Sequence, residues 1–213
     1  QRLHIPGALS ISQGAVPVSA RGLKHMAPTY SVGTRDRPRH RLFGSSTLNL
    51  VCALSDIKSL KKQLRLDALV RRDALNLEMR IEASLGMADV ADQLAVAPGD
   101  VVSGFWPMRS EADLRPLMFV LRENGARLVL PAILDKTTII FRELVRGAEL
   151  IDMGFGTFGP GPEAEVLDPS LMLVPLASFD RRGHRIGYGA GYYDRAITRL
   201  NERGIKPRLI GVA

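Results

Sequence analysis

Apolar positions along this chain recur with two alternating periods. From Ser55 the residues Ile57, Leu60 and Leu64 follow at helical spacing, with Ser55 or Asp56 as the N-cap. A second helical stretch covers Asn76 to Leu94, and Pro98-Gly99-Asp100 punctuates the chain after it. The short apolar run from Val101 to Trp106 then reads as a strand. Leu114, Leu117, Met118 and Leu121 fall at i, i+3, i+4 and i+7, and Asn124-Gly125 supplies a helix stop. Arg127 to Leu130 is a second strand, closed by Pro131, and Thr137 to Phe141 is a third.

Asp152 to Pro169 is dominated by Gly154, Gly156, Gly159, Pro160, Gly161 and Pro162, and reads as an extended loop. Leu171 to Leu176 is a nearly continuous apolar run, the mark of a strand covered on both faces in a parallel sheet. Tyr193, Ala196, Ile197 and Leu200 return to helical spacing and end at Gly204, and Arg208 to Val212 begins another strand. Strands alternating with helices predict an α/β class: three α/β/α layers around a mainly parallel sheet.

With 213 residues, 46% hydrophobic and 24% charged, the chain can bury one substantial core. Its apolar runs are strand-sized, well short of the roughly 20 residues of a membrane span. The single cysteine, Cys52, allows no internal disulfide, and His4, His25, His40 and His184 show no metal-ligand spacing. The cytoplasm is the expected compartment.

The net charge of +7 changes this picture only at the N-terminus. Residues 1–50 carry Arg2, Arg21, Lys24, Arg35, Arg37, Arg39 and Arg41 against the lone acid Asp36, leaving residues 51–213 almost neutral. Rich in Gly, Pro, Ser and Arg, residues 1–50 read as a disordered basic extension, either an upstream-extended start or an organellar transit peptide. The extension has no basic-aromatic platform, so a nucleic-acid partner is not expected.

The candidate chemistry lies at Gly183 to Gly191, a loop between the buried strand and the last helix in which Gly187, Gly189 and Gly191 recur at every second position. Free N–H groups and the positive dipole end of a helix starting near Tyr192 suit a phosphate. Arg181, Arg182, Arg185 and Arg195 flank the loop and could add charge-assisted hydrogen bonds. The spacing is neither Gly-x-Gly-x-x-Gly nor a P-loop, so on glycines alone a flexible turn weighs as much as an anion site.

The whole segment Phe179–Arg195, FDRRGHRIGYGAGYYDR, preceded by the apolar strand from Leu171, resembles the signature of the 5-formyltetrahydrofolate cyclo-ligase family. Three further segments agree in order: Lys61 to Arg65 followed by Arg71 to Leu75, Trp106 to Glu111, and Phe158 to Pro162. The resemblance runs from about Ser55 to Ala213 and makes 51–213 a cyclo-ligase-like domain. It implies a ligase that converts 5-formyltetrahydrofolate to 5,10-methenyltetrahydrofolate with ATP and Mg²⁺. The formyl oxygen is phosphorylated, and nitrogen 10 then attacks, closing the ring and expelling phosphate.

Residue by residue, the resemblance assigns ATP contact to Lys61, Arg65 and the stretch Arg185, Ile186, Gly187, Tyr188, Gly189, Ala190, Gly191, Tyr192 and Tyr193. Folate contact falls to Trp106, Glu111 and Tyr188 through Tyr192, the metal to Asp194, and catalytic roles to Arg185 and Tyr192. A monomer acting on a folate that can carry polyglutamate is expected. Some family members carry basic residues where this chain has Tyr188 and Ala190, which shifts phosphate neutralisation to Arg185, Arg182 and the first helix. The family pattern also continues past Ala213 to a C-terminal acid at the metal site, so the domain is expected to be truncated there. Rival readings are another ATP-dependent small-molecule kinase or ligase, and a non-catalytic folate- or nucleotide-binding module.

Overall fold

The computed structural model describes residues 9–10, 46–154 and 156–213, with side chains from residue 56 onward. In chain order the elements are β1 (Leu9–Ser10), α1 (Ser46–Asp73), α2 (Leu77–Gly86), a 3₁₀ helix (Ala88–Leu94), β2 (Val101–Ser103), α3 (Arg115–Glu123), β3 (Arg127–Ile133) and β4 (Ile139–Glu143). They continue with β5 (Leu150–Asp152), β6 (Phe158–Pro160), β7 (Leu171–Pro175), β8 (Ser178–Phe179), β9 (Arg185–Ile186), α4 (Tyr192–Glu202) and β10 (Arg208–Val212). The chain divides into two compact units, one formed by 14–60 and the other by 1–13 together with 61–213. The second unit carries the sheet. The basic extension expected over residues 1–50 lies outside the described residues, apart from β1 and the first residues of α1. Among the described residues no helix is long and apolar enough to cross a membrane.

Six strands form the central sheet in the order β1-β10-β7-β2-β3-β4. The four inner strands are mutually parallel, and β1 and β4 pair antiparallel at the two edges. Alternation along each strand loads both faces. Leu171 and Leu173 of β7 pack with Leu114 and with Leu117, Met118 and Leu121 of α3, whereas Met172 and Val174 pack with Ala196 and Leu200 of α4. Two cores separated by one sheet make the expected three-layer α/β/α architecture, and the nearly unbroken apolar run of β7 follows from its burial on both faces.

Several boundaries differ from the sequence pattern for identifiable reasons. Helix α1 begins at Ser46 rather than Ser55. The second helical stretch starts where expected, with the Asn76 side chain accepting from Met79 N–H at 2.8 Å, but it divides at Met87. The tighter 3₁₀ turn lets Met87, Ala91 and Leu94 all enter the core, a packing demand that helical periodicity does not encode.

Strand β3 runs through Pro131, which sits opposite Phe141. Bonds from Leu144 N–H to Leu128 O and from Leu134 N–H to Thr138 O fix the alternation, so the Pro131 nitrogen faces away from β4, toward β2. There β2 has already ended at Ser103, and no ladder bond is lost. The stretch read as an open loop from Asp152 contains β6, paired with β5. Helix α3 stops at Asn124, followed by Gly125 at φ +93°, where an added Cβ would lie 2.9 Å from Pro98.

Chain direction fixes where a ligand can sit. From β2 the chain passes through α3 to β3 on one side, and from neighbouring β7 it passes through α4 to β10 on the other. The strand order reverses between β2 and β7, so a crevice opens outside their carboxyl ends.

Candidate active site

A cleft of about 520 Å³ lies at that reversal. Its floor is built from residues at or just past the strand ends: Phe105 and Trp106 after β2, Pro131 and Ile133 in the last half of β3, and Pro175 at the end of β7. Lys61, Arg65, Trp106, Glu111 and every residue from Arg185 to Asp194 line it, so all the residues assigned to ATP, folate or metal from sequence meet in one cavity. Arg181 and Arg182 do not; they are exposed at the turn joining β8 to β9.

The glycine segment is more structured than a bare loop. Asp180 organises its entry by accepting from Arg182 N–H and His184 N–H, and β8 and β9 pair as a short hairpin. Residues 187 to 191 then form the span into α4. Gly191 is the N-cap at φ +70° and offers no side-chain cap, which leaves the first-turn N–H groups without one. Arg195 ties this span to the end of the β3–β4 hairpin, donating from Nε to Thr137 O at 2.7 Å and from Nη2 to Ala190 O at 2.8 Å. Its guanidinium also lies 5.3 Å from the Tyr192 ring centroid. Arg195 is therefore occupied in holding the loop.

Cations supplied to the cleft come from two directions. From α1, Lys61 and Arg65 are one turn apart on the wall, and Arg65 Nε donates to Gly187 O at 2.6 Å. From β9, Arg185 pairs with Asp194, whose carboxylate side chain is 74% exposed in the first turn of α4. A cation donor and a hard oxygen donor thus stand side by side at a helix N-terminus.

The opposite end is drier. Glu111 is only 9% exposed, and its Oε2 accepts from Met108 N–H at 2.8 Å. Oε1 is buried without a hydrogen-bond partner, and the nearby Tyr188 hydroxyl accepts from Arg72. Burial pushes the Glu111 carboxyl above the ordinary range, and the Met108 N–H, Tyr188 and Arg72 only partly offset it. The Tyr193 hydroxyl is likewise buried and unpaired, and burial raises its pKa far enough to keep it a neutral donor. A buried orphan acceptor and a buried orphan donor in one cleft call for a ligand carrying both functions. The chain's single tryptophan, Trp106, lines the same end with Arg115 5.4 Å from its ring centroid.

Arg72, Ser110 and Met108 lie in segments that carry the resemblance but receive no role from sequence, and Ile133 and Ile139 of the apolar wall are not singled out by it. The wall residues carry no chemical signature and are recognisable only from where the sheet ends. Among the described residues no group of three or more His, Cys, Asp or Glu side chains converges as a metal cage.

Comparison with known proteins places this geometry. The model of the 5-formyltetrahydrofolate cyclo-ligase family matches residues 57–213. A 5-formyltetrahydrofolate cyclo-ligase of Mycoplasma pneumoniae is 32% identical over 108 residues, covering 50% of this chain and 55% of its own length. One from Mycolicibacterium smegmatis is 31% identical over 145 residues, covering 64% of this chain and 74% of its own. The solution structure of Aquifex aeolicus 5,10-methenyltetrahydrofolate synthetase superposes with a TM-score of 0.56 at 28% identity, covering 72% of this chain and 77% of that one. The chain thus spans little more than half of the first of these relatives and about three quarters of the others. A family match over most of the chain and a shared fold, with the matched residues gathered around one cleft, establish that this chain belongs to the 5-formyltetrahydrofolate cyclo-ligase family.

Proposed function

We propose that this chain converts 5-formyltetrahydrofolate to 5,10-methenyltetrahydrofolate with hydrolysis of ATP to ADP and phosphate. One observation carries the reading: a single cleft joins a cationic, glycine-lined helix N-terminus to a dry end that holds an unpaired buried carboxylate oxygen beside Trp106. A pterin supplies what that dry end lacks. Its flat ring has a face for Trp106, and its amino and ring N–H groups can donate to Glu111 Oε1. The triphosphate belongs at the other end, where the N–H groups of α4, Lys61, Arg65 and Arg185 converge.

The chemistry then asks for alignment rather than a protein nucleophile. The formyl oxygen attacks the γ-phosphorus, and ADP leaves with the electrons of the broken P–O bond. Nitrogen 10 next attacks the activated formyl carbon and closes the ring, its proton passes to the departing phosphate, and the C–O bond breaks to release inorganic phosphate. Holding both substrates in line is where such sites gain most of their rate. Arg185 stabilises charge on the transferring phosphoryl group, and Tyr192 braces the loop with its hydroxyl 3.4 Å from Asp135 O. Tyr188 through Tyr192 close over the joint between the two substrates.

Asp194 suits magnesium. It is an exposed oxygen ligand beside the phosphate end, and this ion commonly takes one or two carboxylates together with substrate phosphate. When bound there it would offset the charge of the β- and γ-phosphates. We take a monomer as the acting unit, the cytoplasm as its compartment and polyglutamylated folates as further substrates.

The test is a coupled assay on the folded chain with Mg²⁺ and ATP. ADP release that depends on 5-formyltetrahydrofolate, together with the near-ultraviolet methenyl absorbance, is the expected outcome. ATP turnover that ignores the folate and responds instead to another acceptor would replace this reading with a different kinase or ligase.

A further inference from the structure

We propose that Arg72 is a positioning residue for this site: through Ser110 and Tyr188 it orients Glu111 against the ligand and joins the two ends of the cleft. Arg72 is not on the cleft wall, so it reaches the reacting groups only through others. It leaves the last turn of α1 and spends its guanidinium on two segments remote in sequence. Nε donates to Ser110 Oγ at 3.0 Å, across 38 residues, and Nη1 donates to the Tyr188 hydroxyl, across 116. The same guanidinium lies 5.6 Å from the Tyr188 ring centroid.

Ser110 does not end the chain of contacts, because its hydroxyl donates onward to Asp73 Oδ1. The residue before Glu111 is therefore gripped from both sides by the end of α1, and it is itself buried at 7% exposure. Glu111 is then left with one freedom. Met108 N–H fixes Oε2, and Oε1, which has no partner, faces the ligand beside a Tyr188 hydroxyl that Arg72 holds in place. Because Tyr188 belongs to the glycine span, the same cation links the folate end to the nucleotide end.

Charge points the same way. The groups that face Glu111 are Arg72 from α1, Tyr188 from the loop and Tyr193 from α4, with Arg185 beyond Tyr193 and Asp73 across Ser110. Burial disfavours the carboxylate form of Glu111, the Met108 N–H and the Tyr188 hydroxyl offset part of that, and the Arg72 cation adds to them while holding Tyr188 in place. A ligand that donates N–H groups needs that form. If Arg72 merely pinned α1 to the sheet, its loss would lower stability and leave Glu111 titrating as before.

The inference rests on the folate reading for the identity of the ligand, and the experiment separates the two. In the full chain, Glu111 is titrated without ligand by following its protonated-carboxyl infrared band, assigned by its loss in Glu111→Gln. Binding of 5-formyltetrahydrofolate is followed against pH through the fluorescence of Trp106. In Arg72→Gln the Glu111 midpoint is expected to move up, and affinity to fall on the order of tenfold at neutral pH, with the loss setting in at a higher pH than in wild type. Arg72→Lys should restore the midpoint but not the affinity at high pH, since an ammonium keeps the charge and loses the two-pronged geometry. Ser110→Ala, a milder cut of the same link, should weaken binding by about threefold and serves if Arg72→Gln fails to fold. Coincident Glu111 titrations in wild type, Arg72→Gln and Ser110→Ala, with only melting temperatures changed, would overturn the proposal. Failure of wild type to bind the folate would refute the functional reading alone, because the infrared titration still decides the hold of Arg72 on Glu111.

Discussion

Two glycines in the same loop should answer the same substitution in opposite ways. Gly191 is the N-cap of α4 at φ +70°, a region that costs an L-residue about 1–2 kcal/mol. A Cβ there would also sit 2.9 Å from Arg195 Nη1. That contact is with the end of a side chain, but Arg195 is held by Thr137 O and Ala190 O, and giving up one such charged bond costs about 1.5–3 kcal/mol. Gly191→Ala should therefore destabilise the protein by about 3–4 kcal/mol. With a urea slope of about 2 kcal/mol/M, the midpoint falls by about 1.5–2 M.

At Gly187 an added Cβ would meet nothing within 4 Å and φ is not positive, so Gly187→Ala should keep the unfolding free energy within about 0.5 kcal/mol of wild type. Its methyl instead enters the space where the backbone faces the ligand, and the KM for ATP should rise. Urea unfolding and initial-rate kinetics on the two variants make the comparison. A stable Gly191→Ala protein, or a Gly187→Ala protein that loses stability and keeps its ATP affinity, would refute the division of labour assigned to this loop.

Three further outcomes are expected. Glu111→Gln should lose folate binding by about tenfold or more while raising the melting temperature at neutral pH. The sign follows because the buried carboxyl titrates above its unfolded value: the native state holds the extra proton in that window, stability falls as pH rises through it, and the amide is spared that loss. Asp194→Asn should displace the Mg²⁺ activation curve to higher concentration and change stability by no more than about 0.5 kcal/mol, since the side chain is exposed. Hydrogen bonds from Arg127 hold Glu143 below the usual carboxylate range, so its contribution is present at neutral pH and lost as pH falls through the lowered value. Glu143→Gln should accordingly show a flatter acid limb in a melting-temperature profile.

The parts legible in the sequence were those whose physics is local or repeats. The continuous apolar run from Leu171 announced a strand buried on both faces, and the i, i+3, i+4, i+7 positions of α3 and α4 marked the stripes that cover it. The place of the glycine span before a helix was legible too, although the glycines alone did not separate an anion site from a flexible turn. What was hidden depends on neighbours far along the chain. Pro131 looked like a strand end, and only the early termination of β2 makes it harmless inside β3. The division of the second helix at Met87 answers to core packing, and the pairing of β5 with β6 was masked by glycine and proline that the short edge ladder tolerates. At the site, Arg72 and Ser110 fell inside segments that carry the resemblance, yet no role could be read for them, since nothing nearby reveals that Arg72 meets both Ser110 and Tyr188.

The bond from Arg65 to Gly187 spans 122 residues, and that distance has a consequence for the life of the chain. Closing so long a segment is entropically costly, and the closure is secured only once the intervening strands have paired. The phosphate end of the cleft therefore cannot be assembled by any early, local part of the polypeptide. A nascent chain on the ribosome would gain affinity for nucleotide only after the glycine span has emerged and met the helix made long before it. On the proposed reading, nucleotide capture would report the closure of this segment, and the ligand would draw that folding equilibrium toward the native side while leaving earlier partly folded forms unaided.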